Sequence, residues 1–277
     1  MPHHRAPDPW VVGDAYEQYV GRWSRPVAAR FIAALGLPIG LRWLDVRCGT
    51  GALCNAILDQ AAPASVVGVE PSAGFLATAR QRLADRVEFL QGDAASMPLP
   101  DCSVDVTASA LVRNFVADVD AALKEMIRVT RRGGTVAAYV WDYAGKMELM
   151  RYFSDAAVAL DPEAASEDEG VRFPLCRPEA LRAAFARAGL LQIDVHAIDV
   201  PTRFADFDDY WRPFLGGQGP APGYAMALDA AARDRLRERI RDALPTAADG
   251  SIELIARAWA VMARVPLTPS DTSRLRA

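Results

Sequence analysis

The chain has 277 residues, about half of them apolar, so it can bury a substantial core in one large domain or two small ones. Its 31 basic and 35 acidic residues give a net charge of −4. No basic block is dense enough to neutralise a phosphate backbone, which argues against nucleic acid as a partner. No apolar run reaches the ~20 residues needed to cross a bilayer, and no apolar signal core follows the N-terminus. We therefore expect a cytoplasmic protein without a membrane partner.

The cysteines and histidines are too few and too scattered for a metal centre. The four cysteines contain no Cys-x-x-Cys pair, and the whole chain has three histidines. We expect reduced thiols and no bound metal.

The first recognisable elements lead into a glycine-rich turn. From Ala15 onwards, apolar and aromatic residues recur at helical spacing and predict one or two helices. Residues 41–46 then read as a buried strand, and a helix is expected over 52–62. Between them, Gly49 and Gly51 would bring backbone N–H groups and a helix N-terminus against a ligand. The turn is therefore predicted to bind a cofactor.

Two carboxylates follow strands that come after this turn. The predicted strand Ser65–Glu70 ends in Glu70, roughly 20 residues downstream, where a ribose hydroxyl pair would lie. A third strand, residues 87–90, is followed by Asp93. Open α/β sheets bind ligands at the carboxyl ends of their strands, so both side chains are expected in the site.

The remaining elements continue the alternation of strands and helices, with a charged connection near the middle. The pattern predicts helices at residues 71–83, 119–130, 146–160, 178–188 and 229–244, a turn at 131–134, and strands at 104–109, 135–141, 191–200 and 252–265. An acidic connection through Glu167, Asp168 and Glu169 follows the 146–160 helix. These elements predict an α/β protein with a doubly wound sheet and a helical cover.

Several motifs occur in a characteristic order over about residues 41–140. They are Asp45-x-x-x-Gly49-x-Gly51, Glu70, Gln91-Gly92-Asp93-Ala94 and Arg132-Gly133-Gly134. This order resembles the class I S-adenosylmethionine-dependent methyltransferases. The resemblance implies a Rossmann-like seven-stranded sheet with helices on both faces, a helical lid and an antiparallel last hairpin. It also implies S-adenosyl-L-methionine as cofactor and S-adenosyl-L-homocysteine as product. The segments Met97-Pro98-Leu99-Pro100 and Val112-Arg113-Asn114 most resemble the small-molecule branch that includes quinone-biosynthesis enzymes.

The resemblance also assigns the cofactor residues. They are Tyr19, Asp45, Arg47, Gly49, Gly51, Glu70, Pro71, Asp93, Ala94 and Ser109. Arg47 departs from the pattern, because the family usually has glycine there. A side chain at that position costs roughly 1–2 kcal/mol if φ is positive. The guanidinium would either pair with the cofactor carboxylate or repel the sulfonium and block the pocket.

No catalytic base is assigned from the sequence. Four residues are candidates for contact with the acceptor or for proton transfer, namely Asn114, Asp142, Tyr143 and His196. Each also has a structural interpretation, such as backbone satisfaction by Asn114 or packing of a mid-strand His196. The aromatic residues of 204–214 suggest either a pocket for a flat molecule or the core of a lid.

The predicted organisation divides the chain into seven segments. They are a helical cap (1–40), a cofactor-binding core (41–140), a lid segment (141–177), a continuation of the core (178–200), a lid insertion (201–250), a last core strand (251–266) and a tail (267–277). A homodimer is compatible with this organisation.

Methyl transfer to a small apolar or aromatic metabolite by in-line displacement is the leading functional hypothesis. The alternative is a protein in which Arg47 has removed or altered cofactor use, leaving a cyclase, an isomerase or a binding protein. A nicotinamide-dependent dehydrogenase is disfavoured because Gly49-x-Gly51 lacks the third glycine.

Overall fold

The computed structural model describes residues 21–110, 118–216 and 219–267. The strands are β1 (Arg42–Val46), β2 (Ser65–Glu70), β3 (Glu88–Gln91), β4 (Val104–Ala110), β5 (Thr130–Trp141), β6 (Leu191–Phe204) and β7 (Ile252–Arg264). The α-helices of the described part are α1 (Arg22–Leu35), α2 (Ala52–Gln60), α3 (Ala73–Leu83), α4 (Val119–Val129), α5 (Glu148–Leu160), α6 (Glu169–Arg172), α7 (Pro178–Arg187), α8 (Phe207–Trp211), α9 (Pro220–Ala227) and α10 (Ala230–Ala243).

The strands form one seven-stranded sheet in the order β3-β2-β1-β4-β5-β7-β6. Strands β1 to β5 pair in parallel. Strand β7 runs against β5, because Gly133 N donates to Val265 O at 3.0 Å and Asp142 N donates to Arg257 O at 2.9 Å. The predicted Rossmann-like sheet is thus confirmed. Its strand order reverses at β1, which lies between β2 and β4 and so marks the position where such sheets bind ligands.

The chain forms two compact units. Among the described residues, unit 1 comprises 21–24, 141–174, 199–216 and 219–257, and unit 2 comprises 25–110, 118–140, 175–198 and 258–267. In unit 2, the parallel strands supply a near-continuous apolar core, as expected for strands covered on both sides. Phe31 of α1 packs on Tyr139 of β5 with ring centroids 4.7 Å apart, and both side chains are buried.

Unit 1 has an aromatic core of its own. Phe153 stacks on Phe214 at 4.6 Å, and the buried Tyr210 hydroxyl donates to the Leu149 carbonyl at 2.7 Å. Trp211 packs beside them, 5.8 Å from the Phe214 ring. The aromatic residues of 204–214 that are described here therefore pack against one another as a core.

Two predicted boundaries are wrong. Residues 131–134 are not a turn, because β5 begins at Thr130 and includes them. A Cβ on Gly134 would lie 2.7 Å from Asp105 O, so the glycine permits close approach of β4 rather than a reversal. Strand β6 also continues to Phe204, beyond its predicted end at residue 200. A helix before the first strand is confirmed by α1 (Arg22–Leu35), whereas Tyr16 and Tyr19 fall outside the described residues. The seven-segment division stays a prediction.

Candidate functional site

The glycine-rich turn connects β1 to α2 through three residues with left-handed backbone. Arg47, Gly49 and Gly51 have φ of 58°, 54° and 87°. The turn is tied to β2 by Cys48 N, which donates to Val69 O at 3.0 Å. A Cβ on Gly49 would meet no atom within 4 Å, so the turn presents open space at this position. Helix α2 follows at Ala52, and the backbone N–H groups of its first turn favour a polar or anionic group.

Glu70 ends β2 beside this turn and is only 3% exposed. Its Oε2 accepts from Gly49 N at 3.2 Å, and its Oε1 accepts from Ser72 N at 3.1 Å. A carboxylate has about four lone-pair sites, so each oxygen can still accept a further hydrogen bond. The carboxylate is therefore held in place with capacity left for a pair of ligand hydroxyls.

Asp45 lies at the penultimate position of β1 and is fully buried. One oxygen, Oδ2, accepts from the Cys54 thiol at 3.2 Å, whereas the buried Oδ1 has no hydrogen-bond partner within the described ranges. Burial raises the pKa of Asp45 to about 7, the Cys54 hydrogen bond opposes this shift, and the charge of Glu70 adds to it. An orphaned buried oxygen beside the glycine turn fits a site that a polar ligand completes.

Three further predicted residues lie around the ends of β3 and β4. The exposed Asp93 shapes its own loop, since Oδ1 accepts from Ala95 N at 2.8 Å. Ala94 is buried beside it, and the Ser109 hydroxyl donates to Val46 O at 3.1 Å. Ser109 thus fastens β4 to the end of β1. Pro71, next to Glu70, accepts at its carbonyl from Gln91 Nε2 at 3.0 Å.

The Arg47 side chain lies beside other residues of the predicted cofactor site. It lines a cavity of about 10 Å³ with Ala94 and Ser109. That volume holds about one water molecule, so a nucleoside has to bind outside this cavity or displace the Arg47 side chain. The buried Arg47 Nε has no hydrogen-bond partner among the residues that the structure describes. The guanidinium therefore retains a donor for an anionic group.

The structure describes three of the four candidates for acceptor contact or proton transfer. Asp142 holds the turn after β5, because Oδ2 accepts from Lys146 N at 2.9 Å. Tyr143 is buried in unit 1, with its ring 5.6 Å from the Phe173 ring. His196 lies on the edge strand β6, four strands or about 19 Å from β1, and its Nδ1 is 3.0 Å from Asp194 Oδ2. Tyr19 and Asn114 lie outside the described residues.

Sequence reasoning missed Glu169. This residue belongs to an acidic run that reads as an exposed connection, yet Glu169 begins α6 and is only 2% exposed. Nothing in the local sequence distinguishes it from Glu167. Its burial arises from tertiary contacts that no local pattern contains.

The site in unit 2 has the features of a nucleoside-binding edge. It offers a fixed carboxylate, a glycine turn and a helix N-terminus at the strand-order reversal. In the part of the chain that is described, no group of three or more His, Cys, Asp or Glu side chains is arranged to hold a metal ion. Within the same ranges, no helix has the length and apolarity needed to span a membrane.

Residues 44–138 match a family model described as a methyltransferase domain. The chain is 36% identical to malonyl-(acyl-carrier protein) O-methyltransferase of Serratia marcescens over 46% of this chain and 51% of that protein. It is 42% identical to demethylmenaquinone methyltransferase of Parafrankia sp. over 38% of this chain and 48% of that protein. The chain thus spans about half the length of these curated relatives.

A solved structure with a similar fold is phosphoethanolamine N-methyltransferase 2 of Haemonchus contortus, in complex with S-adenosyl-L-methionine. It superposes with a TM-score of 0.57 at 18% identity, over 92% of this chain and 56% of that one. At this identity the likeness concerns the fold. Residues 44–138, which contain the glycine turn and Glu70, are thus similar to methyltransferase domains.

Proposed function

We propose that the protein transfers a methyl group from S-adenosyl-L-methionine to a small organic acceptor. The observation that carries the proposal is the Glu70 carboxylate, which Gly49 N and Ser72 N hold beside the glycine turn. A carboxylate in this position suits a ribose hydroxyl pair. The curated relatives reported above are named as methyltransferases, which supports methyl transfer over the non-methylating alternative.

The residues of the site suit the other parts of this cofactor. Asp93 and Ala94, beyond the end of β3, would meet the adenine, as the resemblance to the family implies. The open space at Gly49 admits close approach of the methionine part, and Arg47 Nε offers its free donor to the α-carboxylate. When bound, the cofactor supplies an activated methyl group. The protein itself binds the cofactor and the acceptor, aligns them with each other, and excludes water from the site.

The names of the two relatives suggest which compounds to test as methyl acceptors. One is named for a quinone and the other for a malonyl thioester, so a reduced prenylated naphthoquinone and malonyl-coenzyme A are suitable probes. We expect a small, apolar or aromatic acceptor. The S-adenosyl-L-homocysteine formed with each probe reports turnover. A cytoplasmic location and a homodimer remain predictions.

Calorimetric titration with S-adenosyl-L-methionine and S-adenosyl-L-homocysteine tests the cofactor assignment. We expect binding by the unmodified chain and a loss of at least about tenfold in affinity for Glu70→Gln, which replaces acceptor capacity by a donor. Glu88→Gln is the matched control, because Glu88 is exposed at the start of β3. Absence of binding by the unmodified chain, or equal affinities for both variants, would contradict the proposal.

A further inference from the structure

Helix α2 borders a cavity of about 480 Å³ that lies entirely within unit 2. Arg25 and Ala29 of α1 line one part of it, and Arg82 and Leu83 at the end of α3 line another. Its volume falls within the range of about 300–1,000 Å³ that small-molecule sites occupy. Apart from Gly51, no described lining residue belongs to the predicted cofactor site. The cavity is therefore a separate space that adjoins the cofactor site at the glycine turn.

The charges around this cavity favour an anion. Among the described lining residues, the charged ones are Arg25, Arg82 and Asp59, and all three are exposed. The Asp59 carboxylate is already engaged, because its Oδ2 accepts from Asn55 Nδ2 at 2.7 Å and its Oδ1 lies 3.7 Å from Arg86 Nη2. The two guanidinium groups therefore outweigh the one partnered carboxylate, and the local potential attracts negative charge.

The side chains that line the cavity suit a ligand with an oxyanion group and a small apolar part. A guanidinium stays charged at physiological pH, and its planar set of N–H donors matches the oxygens of a phosphate or a carboxylate. Arg25 and Arg82 come from different helices and border the same cavity, so one oxyanion can draw donors from both. The buried Ala56 and Leu83 side chains supply apolar surface beside them.

Arg82 and Leu83 also connect the cavity to the glycine turn. Arg82 Nη1 donates to the Thr50 hydroxyl at 3.1 Å, and Thr50 lies between Gly49 and Gly51. Leu83 packs closely on the same turn, since a Cβ on Gly51 would lie 2.8 Å from Leu83 Cδ1. A ligand that holds the end of α3 in place therefore restrains the turn as well.

We propose that this cavity is a second ligand site, which binds a small metabolite through a phosphate or carboxylate group held by Arg25 and Arg82. The bound oxyanion fixes Arg82 against Thr50 and thereby orders the glycine turn. A ligand that binds to an already ordered turn has less conformational entropy to lose, so occupancy of this site and occupancy of the cofactor turn favour each other. The site goes beyond the proposed methyl transfer and does not depend on it.

An NMR titration with inorganic phosphate, and separately with citrate, tests the site and distinguishes the two kinds of oxyanion. Sodium chloride at matched ionic strength is the reference, because exposed arginines attract any anion weakly. The backbone amide signals of residues 50–56 and the arginine Nε–H signals should shift in a saturable manner with one of the two oxyanions. Chloride should not reproduce these shifts.

Two variants and a matched control locate the binding. We expect Arg25→Gln and Arg82→Gln each to raise the Kd of the bound oxyanion at least about fivefold. Arg30→Gln should bind like the unmodified chain, since Arg30 is exposed on the same helix as Arg25 and does not line the cavity. Shifts that do not saturate, equal shifts with chloride, or equal losses in all three variants would overturn the site.

The order parameter of the Gly51 amide tests the connection to the glycine turn. It should rise towards the rigid-backbone value of about 0.85 when the oxyanion saturates the unmodified chain. The rise should be missing from Thr50→Val, which removes the acceptor of the Arg82 hydrogen bond and keeps a branched side chain. No rise in the unmodified chain, or the same rise in Thr50→Val, would overturn the coupling.

These measurements use no S-adenosyl-L-methionine, so their failure leaves the proposed function standing. Failure of the unmodified chain to bind S-adenosyl-L-methionine would instead remove the proposed function and leave the oxyanion site standing.

Discussion

Replacing Arg47 by glycine and by alanine separates its backbone effect from its side-chain effect. Arg47 has φ of 58°, a conformation that costs an L-residue roughly 1–2 kcal/mol and costs glycine almost nothing. Alanine removes the guanidinium but keeps the Cβ and therefore the strain. Glycine also increases the entropy of the unfolded chain, which offsets about 0.4–1 kcal/mol of the relief. We expect Arg47→Gly to be more stable than Arg47→Ala by about 1 kcal/mol.

Urea unfolding at one pH measures this difference, and a thermal scan should show a gap of roughly 2–4 °C between the two variants. The comparison is internally controlled, because both variants lack the same charge and differ by one methyl group. If Arg47→Ala equalled or exceeded Arg47→Gly in stability, the left-handed backbone at this position would not be a source of strain.

The same two variants report on cofactor binding. If Arg47 Nε donates to the carboxylate of S-adenosyl-L-methionine, removal of the guanidinium costs about 1.5–3 kcal/mol, or roughly 10–150-fold in Kd. Alanine and glycine should weaken binding similarly in calorimetric titration. Tighter binding by both variants would show that Arg47 obstructs the pocket. It would then favour the alternative hypothesis, in which Arg47 has altered cofactor use.

Three further changes test other parts of unit 2. Gly68→Ala should destabilise the protein by about 1–3 kcal/mol in urea unfolding, because the new Cβ would lie 2.8 Å from the Phe89 ring; an unchanged midpoint would mean that the ring moves freely. Arg128→Met should cost about 1–2 kcal/mol, since Arg128 Nη1 donates to the Leu99 carbonyl at 2.9 Å from a side chain 31% exposed, and a loss that vanishes in high salt would indicate a purely ionic effect. Asp45 has a folded pKa of about 7, raised from 3.8, so its buried proton stabilises the fold at low pH and this stability is lost as pH rises between those values. Asp45→Asn should flatten that part of the stability profile, and an unaltered profile would assign the pH dependence to other groups.

The elements nearest the glycine turn were predictable from local patterns. Strand β2 occupies Ser65–Glu70 as expected, because a continuous apolar run is followed by Pro71 and the helix-capping Ser72. The carboxylate at its end could be identified for the same reason. Strand and cap signals both lie within a few residues, so they require no knowledge of the tertiary structure.

Features that depend on distant contacts were not predictable. Gly133-Gly134 reads as a turn, but both glycines lie within β5, and β4 approaches Gly134 so closely that a Cβ there would lie 2.7 Å from Asp105 O. The burial of Glu169 depends on packing of its turn against Tyr143 and Ala144, which lie about 25 residues earlier in the chain. The family motif indicated only that Arg47 would be strained if its φ were positive. The structure shows that φ is positive, and it also shows that the buried Arg47 Nε has no hydrogen-bond partner among the described residues.

Glu70 joins two turns that are far apart along the chain. One carboxylate oxygen holds the amide of Gly49 and the other holds the amide of Ser72. Since a single rigid group restrains both, a displacement of either turn loosens the other. The two turns should therefore open as one cooperative unit with a shared local unfolding free energy. A ligand that engages this carboxylate would then slow amide exchange in both turns at once, including in the one it does not touch.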